Sequence, residues 1–183
     1  MKLKNLSLAV IISVIWCTNL SGQKLSEGSL NFLKGVKQLD VVFDYSSVLI
    51  QGNTEADTYL KNGEAWAEQW ENAKINTFYK QFIGHLNKNV NAQKFLLQCG
   101  NFPEAEYYAV IKFISFGRIW GVECEVLFYR GSETTPLAVI TKLKGDSRRF
   151  GGIGGIGGNA YLAASACSFA GQNLGKFLAK KIK

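Results

Sequence analysis

Between Gln38 and Tyr45 apolar and polar residues alternate. Leu39, Val41, Phe43 and Tyr45 fall on one side; Gln38, Asp40 and Asp44 fall on the other, together with Val42. A period of two predicts a strand with one buried face, running on to Gln51 and closed by the turn-favouring pair Gly52-Asn53. At Thr54 the pattern changes. A hydroxyl three residues ahead of a carboxylate, Asp57, has the form of a helix start. From there to about Asn89 the apolar positions follow a 3.6 period: Trp66, Trp70, Ala73, Ile75, Phe78, Tyr79, Phe82, Ile83, Leu86 and Val90. Glu64, Glu68, Glu71, Lys74, Lys80 and Lys88 take the opposite face, and Asn62-Gly63 marks a point where the helix can break.

Period two then returns. Residues 95–99 read as a short buried strand and residues 106–116 (EYYAVIKFISF) as another. Beyond a connection bracketed by Gly117 and Gly121, Val122, Cys124, Val126 and Phe128 alternate with Glu123, Glu125, Leu127 and Tyr129. A turn from Gly131 to Pro136 leads to a strand from Leu137 to Leu143. Short connections among the last three strands predict an antiparallel meander. A closing helix from Ala160 to Ile182 carries a stripe of Leu162, Ala166, Phe169, Ala170, Leu174, Phe177 and Leu178. Strands and helices segregated in this order predict an α+β domain of two layers: a mainly antiparallel sheet of about five strands, packed by one long helix and a C-terminal helix.

The N-terminal segment stands apart. Lys2 and Lys4 precede an almost wholly apolar run from Leu6 to Cys17, and the small and polar residues TNLSGQ follow. This is the order of a secretory signal, and the run is shorter than the ~20 residues that span a bilayer as a helix. Residues 1–22 are therefore expected to be a signal peptide and residues 23–183 a single domain. An uncleaved anchor is the alternative. Lipid attachment at Cys17 is disfavoured, because Trp16 stands where a small residue is needed. Export permits disulfides, but Cys99, Cys124 and Cys167 are odd in number and match no zinc spacing. Buried, unpaired thiols are the expected state, and no cofactor or metal is expected.

Charge is spread unevenly. Residues 23–146 carry 13 basic and 14 acidic side chains, whereas residues 147–183 carry Arg148, Arg149, Lys176, Lys180, Lys181 and Lys183 and no acid. In an exported chain this patch points to anionic lipid or glycan before nucleic acid; the plainer reading is that lysines complement the end of a helix dipole. Next to the two arginines, six of the eight residues from Gly151 to Gly158 are glycine (Gly151, Gly152, Gly154, Gly155, Gly157, Gly158). The letters satisfy G-x-G-x-x-G, but no strand runs directly into them and no acidic residue follows Asp146, so a dinucleotide site is disfavoured. Downstream, Ala163, Cys167, Gly171 and Gly175 recur every four residues. Such a ridge supports close helix packing in lipid or against the domain's own sheet or long helix.

Chemistry-bearing constellations are few. Asp40 and Asp44 share a strand face, as an acid-base pair would. Trp66 and Trp70, four apart, stack on a sugar if exposed and anchor a core if not. His85 lies off the apolar stripe.

The segments VECEVLFYRGSETTPLAVITKLKG (122–145), the glycine stretch and AGQNLGKFLAKKI (170–182) together resemble small exported domains of Gram-negative bacteria. These are periplasmic and auxiliary proteins of outer-membrane transport and secretion assemblies, the curli-secretion type among them. The resemblance implies a binding or assembly role in the cell envelope without catalysis, and no functional residue carries over from it. The expected activity is thus that of a non-enzymatic protein, periplasmic, outer-membrane associated or secreted. It would meet an envelope partner, and self-assembly stays open, through the glycine loop, Arg148, Arg149, Lys176, Lys180, Lys181 and Lys183. A membrane-associating or pore-forming component acting through residues 150–175 is the first alternative. A secreted glycan binder or hydrolase is the second.

Overall fold

The computed structural model describes residues 22–93, 96–117, 121–147 and 158–182. Residues 1–21 of the expected signal peptide (1–22), Arg148, Arg149, most of the glycine stretch and Lys183 lie outside them.

The order of elements is β1 (Lys24–Gly28), β2 (Gln38–Asp44), β3 (Leu49–Ile50), β4 (Asn53–Thr54), α1 (Glu55–Asn62), α2 (Glu64–Ala73), α3 (Tyr79–Val90), β5 (Gln98–Gly100), β6 (Tyr107–Phe116), β7 (Val122–Arg130), β8 (Ala138–Gly145) and α4 (Gly158–Lys181). The α+β class holds, as does the β6–β7–β8 meander. The sheet has eight strands, not about five, in the order β1-β8-β7-β6-β2-β5, with the β3–β4 hairpin attached to β6. The additional strands lack a readable period. β1 is an edge strand whose Leu25 alone packs on the core, and β3 and β4 have two residues each.

β2 runs parallel to both β5 and β6. The helices between β2 and β5 form a crossover, and a strand that returns through a crossover returns parallel. The expected strand from Gln38 to Gln51 is broken after Asp44, where the Ser46 amide donates to Asp44 Oδ1 at 2.8 Å and the Val48 amide to the Tyr45 carbonyl at 3.1 Å.

The long helical region is divided twice. Thr54 caps it as its spacing suggested, accepting from the Asp57 amide at 3.2 Å. Gly63, at φ 86°, ends α1 and admits α2 at a new angle. Lys74–Phe78 then form a π-helical turn, which inserts one residue into the helical phase. The buried series therefore runs Trp70, Ala73, Phe78, Phe82, Leu86 and Val90, while Ile75, expected in the stripe, is 72% exposed.

The core lies between the sheet's inner face and the layer formed by α3 and α4. Phe43 meets Phe82 edge-on at 5.2 Å and Phe113 at 5.0 Å, and Trp70 meets Phe116 edge-on at 5.0 Å. Each fully buried side chain of this size contributes about 1.5–3 kcal/mol. Asn87 of α3 seals the β5 edge: its amide donates to the Cys99 carbonyl and accepts from the Cys99 amide, both at 2.8 Å. That edge is thus closed to strand pairing with another chain.

α4 packs through its small side. A methyl group on Gly171 would stand 2.2 Å from the Phe82 carbonyl oxygen, and one on Gly175 2.7 Å from that of Leu86. One on Gly145 of β8 would stand 1.9 Å from the Ala166 carbonyl oxygen. The ridge Ala163–Cys167–Gly171–Gly175 accordingly serves packing inside the domain, and the buried face of α4 is rotated toward it from the expected stripe. Phe169 and Phe177 are only half-buried.

Gly171→Ala should lose about 3 kcal/mol or more in denaturant unfolding, since overpacking against backbone outweighs the gain in helix propensity. Gly84→Ala, with no heavy atom within 4 Å of the added methyl, should instead gain about 0.5–1 kcal/mol.

Candidate binding surface

Because α3 and α4 cover one side of the sheet, its outward positions form a second face that is helix-free among the described residues. Strand register arranges them in rows. One row is Asp40, Tyr108 and Tyr129; the next is Val42, Val110, Leu127 and Val139; the third is Asp44, Lys112 and Glu125. Beyond the bulge in β6, Ser115 lies opposite Glu123, and Glu123 lies opposite Lys144, whose ammonium it meets at 3.1 Å.

The middle row is apolar across four strands. Val42 is 46% exposed and Val139 9%, with Val110 and Leu127 half-buried between them. Tyr108 and Tyr129 stack beside this row at 5.0 Å and an interplanar angle of 14°. Burial, then the neighbouring Tyr108, raises the Tyr129 phenol above its ordinary value, so it stays protonated. On the other flank, Asp44 is held below the usual carboxylate range by its bonds from Ser46 and, more weakly, by Lys112.

Val42, Leu127 and Tyr129 stand at outward positions in the sequence pattern, which by itself gives them no role. The signal was an apolar residue in a slot where alternation calls for a polar one.

The expected site residues fall elsewhere. Lys176, Lys180 and Lys181 are exposed on the last turns of α4, with the Lys181 ammonium 5.8 Å from the centre of the Phe177 ring. This fits lysines that solvate a helix end. Lys176 also borders an open cleft of about 340 Å³ with Lys144, Asp146, Phe169, Gln172 and Asn173. Gly158 opens α4. Arg148, Arg149, Lys183, Gly151, Gly152, Gly154, Gly155 and Gly157 lie outside the described residues, and with them most of the expected loop-and-lysine surface.

Asp40 and Asp44 do share a face, but each is bonded to backbone. Asp40 Oδ1 accepts from the Phe102 amide at 2.8 Å, and Asp44 accepts from Ser46. They serve the chain turns as acceptors.

The tryptophan pair is stacked at 5.2 Å and 11°, with Trp70 only 1% exposed. A polar cluster holds α1 over it. Glu55 Oε1 accepts from Trp70 Nε1 at 3.0 Å and from Lys74 Nζ at 2.9 Å; Lys74 also meets Glu71 at 2.7 Å, and Tyr59 donates to Glu71. The hollow beside Trp66 measures about 70 Å³, well below the ~300 Å³ at which small-molecule sites begin. Trp70 acts as a core anchor, and the half-buried Trp66 packs against the core beside it.

Cys99, Cys124 and Cys167 are free and buried. Burial pushes the Cys99 thiol up to about 12 and raises the other two further. Among the described residues no group of His, Cys, Asp or Glu could hold a metal ion, and no helix is long and apolar enough to cross a membrane.

No family model matches the sequence, and no curated protein matches it significantly. Two solved structures resemble the chain, both of the PelC dodecamer from Paraburkholderia phytofirmans. The one in space group P6 has a TM-score of 0.37 and 12% identity over 83% of this chain and 95% of that chain. A point variant in space group C2 has a TM-score of 0.35 and 14% identity over 83% and 93%. Scores this low leave the fold to rest on its own topology.

Two measurements check the electrostatics. Burial alone would raise Glu71, but the bonds from Lys74 and Tyr59 and the Lys74 charge outweigh it, so its folded pKa lies below the ordinary value. A lowered folded pKa stabilises at pH above the ordinary value, and the contribution is lost as pH falls through the folded one. The gap in melting temperature between the parent and Glu71→Gln should therefore be widest near neutral pH and close as pH falls below about 4. Cys99, Cys124 and Cys167 should resist an aromatic disulfide reagent in the native state and titrate only on unfolding.

Proposed function

We propose that this chain is an exported cell-envelope protein with a binding or assembly role and no catalytic one, and that it meets its partner through the helix-free face of the sheet. The observation that supports this is the row Val42–Val110–Leu127–Val139. A sheet covered on one side ordinarily turns polar residues to water on the other. Here the centre of the outward face is aliphatic and aromatic with charge at its margin, the composition of an interface core within a polar rim.

The compartment is argued from the sequence, through the order of charge, apolar run and small residues before Lys24, and from the resemblance to envelope assembly proteins. The first alternative relied in part on the ridge of small residues in α4, which is occupied by α3 and so offers no groove to lipid or to another helix. The second relied on the Asp40–Asp44 pair and the indoles; each aspartate accepts from a backbone amide and the Trp70 indole donates to Glu55 inside the domain. The lysines of α4 would then tune attraction to anionic surroundings without forming the site.

A photo-reactive residue at Leu127 or Val110, introduced in producing cells, should crosslink within the envelope fraction, whereas one at exposed Glu68 on α2 should not. Leu127→Lys should change stability by no more than about 1 kcal/mol and abolish the adduct formed from Val110. An exported protein that gives no adduct from Val42, Val110 or Leu127 would refute the assignment.

A further inference from the structure

The helix-free face has a symmetry of its own. β6 presents Tyr108, Val110 and Lys112, and β7 presents Tyr129, Leu127 and Glu125 directly across from them. On either side of a line drawn between the two strands, an aromatic residue matches an aromatic one, an aliphatic an aliphatic, and a cation an anion. The apolar row extends the match, with Val42 beyond Val110 and Val139 beyond Leu127.

If a second copy is turned over about that line, each residue lands on its counterpart. Tyr108 then faces Tyr129 of the second copy, Val110 faces Leu127, Val42 faces Val139, and Lys112 faces Glu125; every contact occurs twice. Strands of the two sheets stay aligned, as they do in stacked sheets, and the same patch serves both copies, as a two-fold interface requires. Turning the copy about the row itself would instead oppose Asp40 and Asp44.

Lys112 and Glu125 are cross-strand neighbours, yet neither makes an ion pair with a described residue, so both remain available to a facing chain.

We propose that two copies of this chain associate face to face through this surface, about a two-fold axis running between β6 and β7. The proposal rests on the reading of this face as the binding surface and names its occupant. The patch spans four strands, or three steps of about 4.8 Å, and three rows. That is small for a stable complex, so the expected dimer is a weak, reversible one.

Charge reversal tests it on the full-length protein, with oligomeric state read by sedimentation over a micromolar-to-millimolar series and folding checked by circular dichroism. The parent should shift from monomer to dimer. Lys112→Glu places carboxylates against each other twice across the interface, and Glu125→Lys does the same with ammonium groups, so each variant alone should stay monomeric. An equimolar mixture of the two should dimerise again, because every reversed position then meets an opposite charge on the other copy. Repair within a single chain cannot produce that rescue.

Should either reversal fail to fold, Val110→Cys and Glu68→Cys, each on a Cys17→Ser background, give an independent test. A short bis-maleimide should join two copies of the Val110→Cys chain, whose like positions lie about one strand step apart across the axis, and should not join copies of the Glu68→Cys chain, because Cys99, Cys124 and Cys167 are buried. A parent that is monomeric throughout, single reversals that dimerise like the parent, or a mixture that stays monomeric overturns the proposal. Capture of a different envelope protein at Leu127 by a monomeric chain would overturn it while leaving the proposed function intact.

Discussion

The close approach of α4 to its neighbours is the constraint on which the rest of the structure depends. At Gly171 and Gly175 the helix lies against the backbone of α3, and at Gly145 the sheet comes as near to the backbone of α4. No side chain separates these surfaces, so the two helices form one thin layer and seat together on one side of the sheet. Interiors are packed as densely as organic crystals, and backbone cannot yield as the tip of a side chain can. The aromatic core between the layers, from Trp70 to Phe82 and Phe113, fills the space this contact defines.

With both long helices committed to one side, the opposite side of the sheet has no covering element among the described residues. A two-layer architecture always leaves such a face; what differs among proteins is what they put there. This chain places aliphatic residues in the central row and its charged and phenolic groups to either side. The small-residue ridge, Trp70 and the two aspartates each have a use inside the domain, whereas Val42, at 46% exposure, and the half-buried Val110 and Leu127 face outward.

Much of the fold was legible in the sequence. Alternation at Leu39–Tyr45 and Val122–Tyr129 placed strands and assigned their faces, and Thr54 and Gly63 marked a helix start and break that both exist. Other elements carry no periodic signature: the two-residue strands β3 and β4, and the edge strand β1 with one core residue. The π-helical turn shows a different limit. The apolar letters from Trp66 to Val90 fit an unbroken helix, and only the packing of Phe78 against Trp70 and Phe116 reveals the extra residue that turns Ile75 to water. For the binding surface, sequence supplied the membership and not the arrangement. Val42 and Leu127 were visibly apolar among outward positions, but 85 residues separate them along the chain.

The sequence by itself determined which residues alternate, where helices start and break, and that α4 owns a side with almost no side chain. These are local properties, fixed by backbone geometry and by the solvation of each residue. Tertiary structure alone decided that β2 lies parallel to β6, that the glycine ridge meets α3 and not a membrane, and that Val42, Val110, Leu127 and Val139 line up in one row. Strand register and helix docking couple residues far apart in the chain, and those pairings are selected by the shape and burial of the whole core, which no local stretch contains.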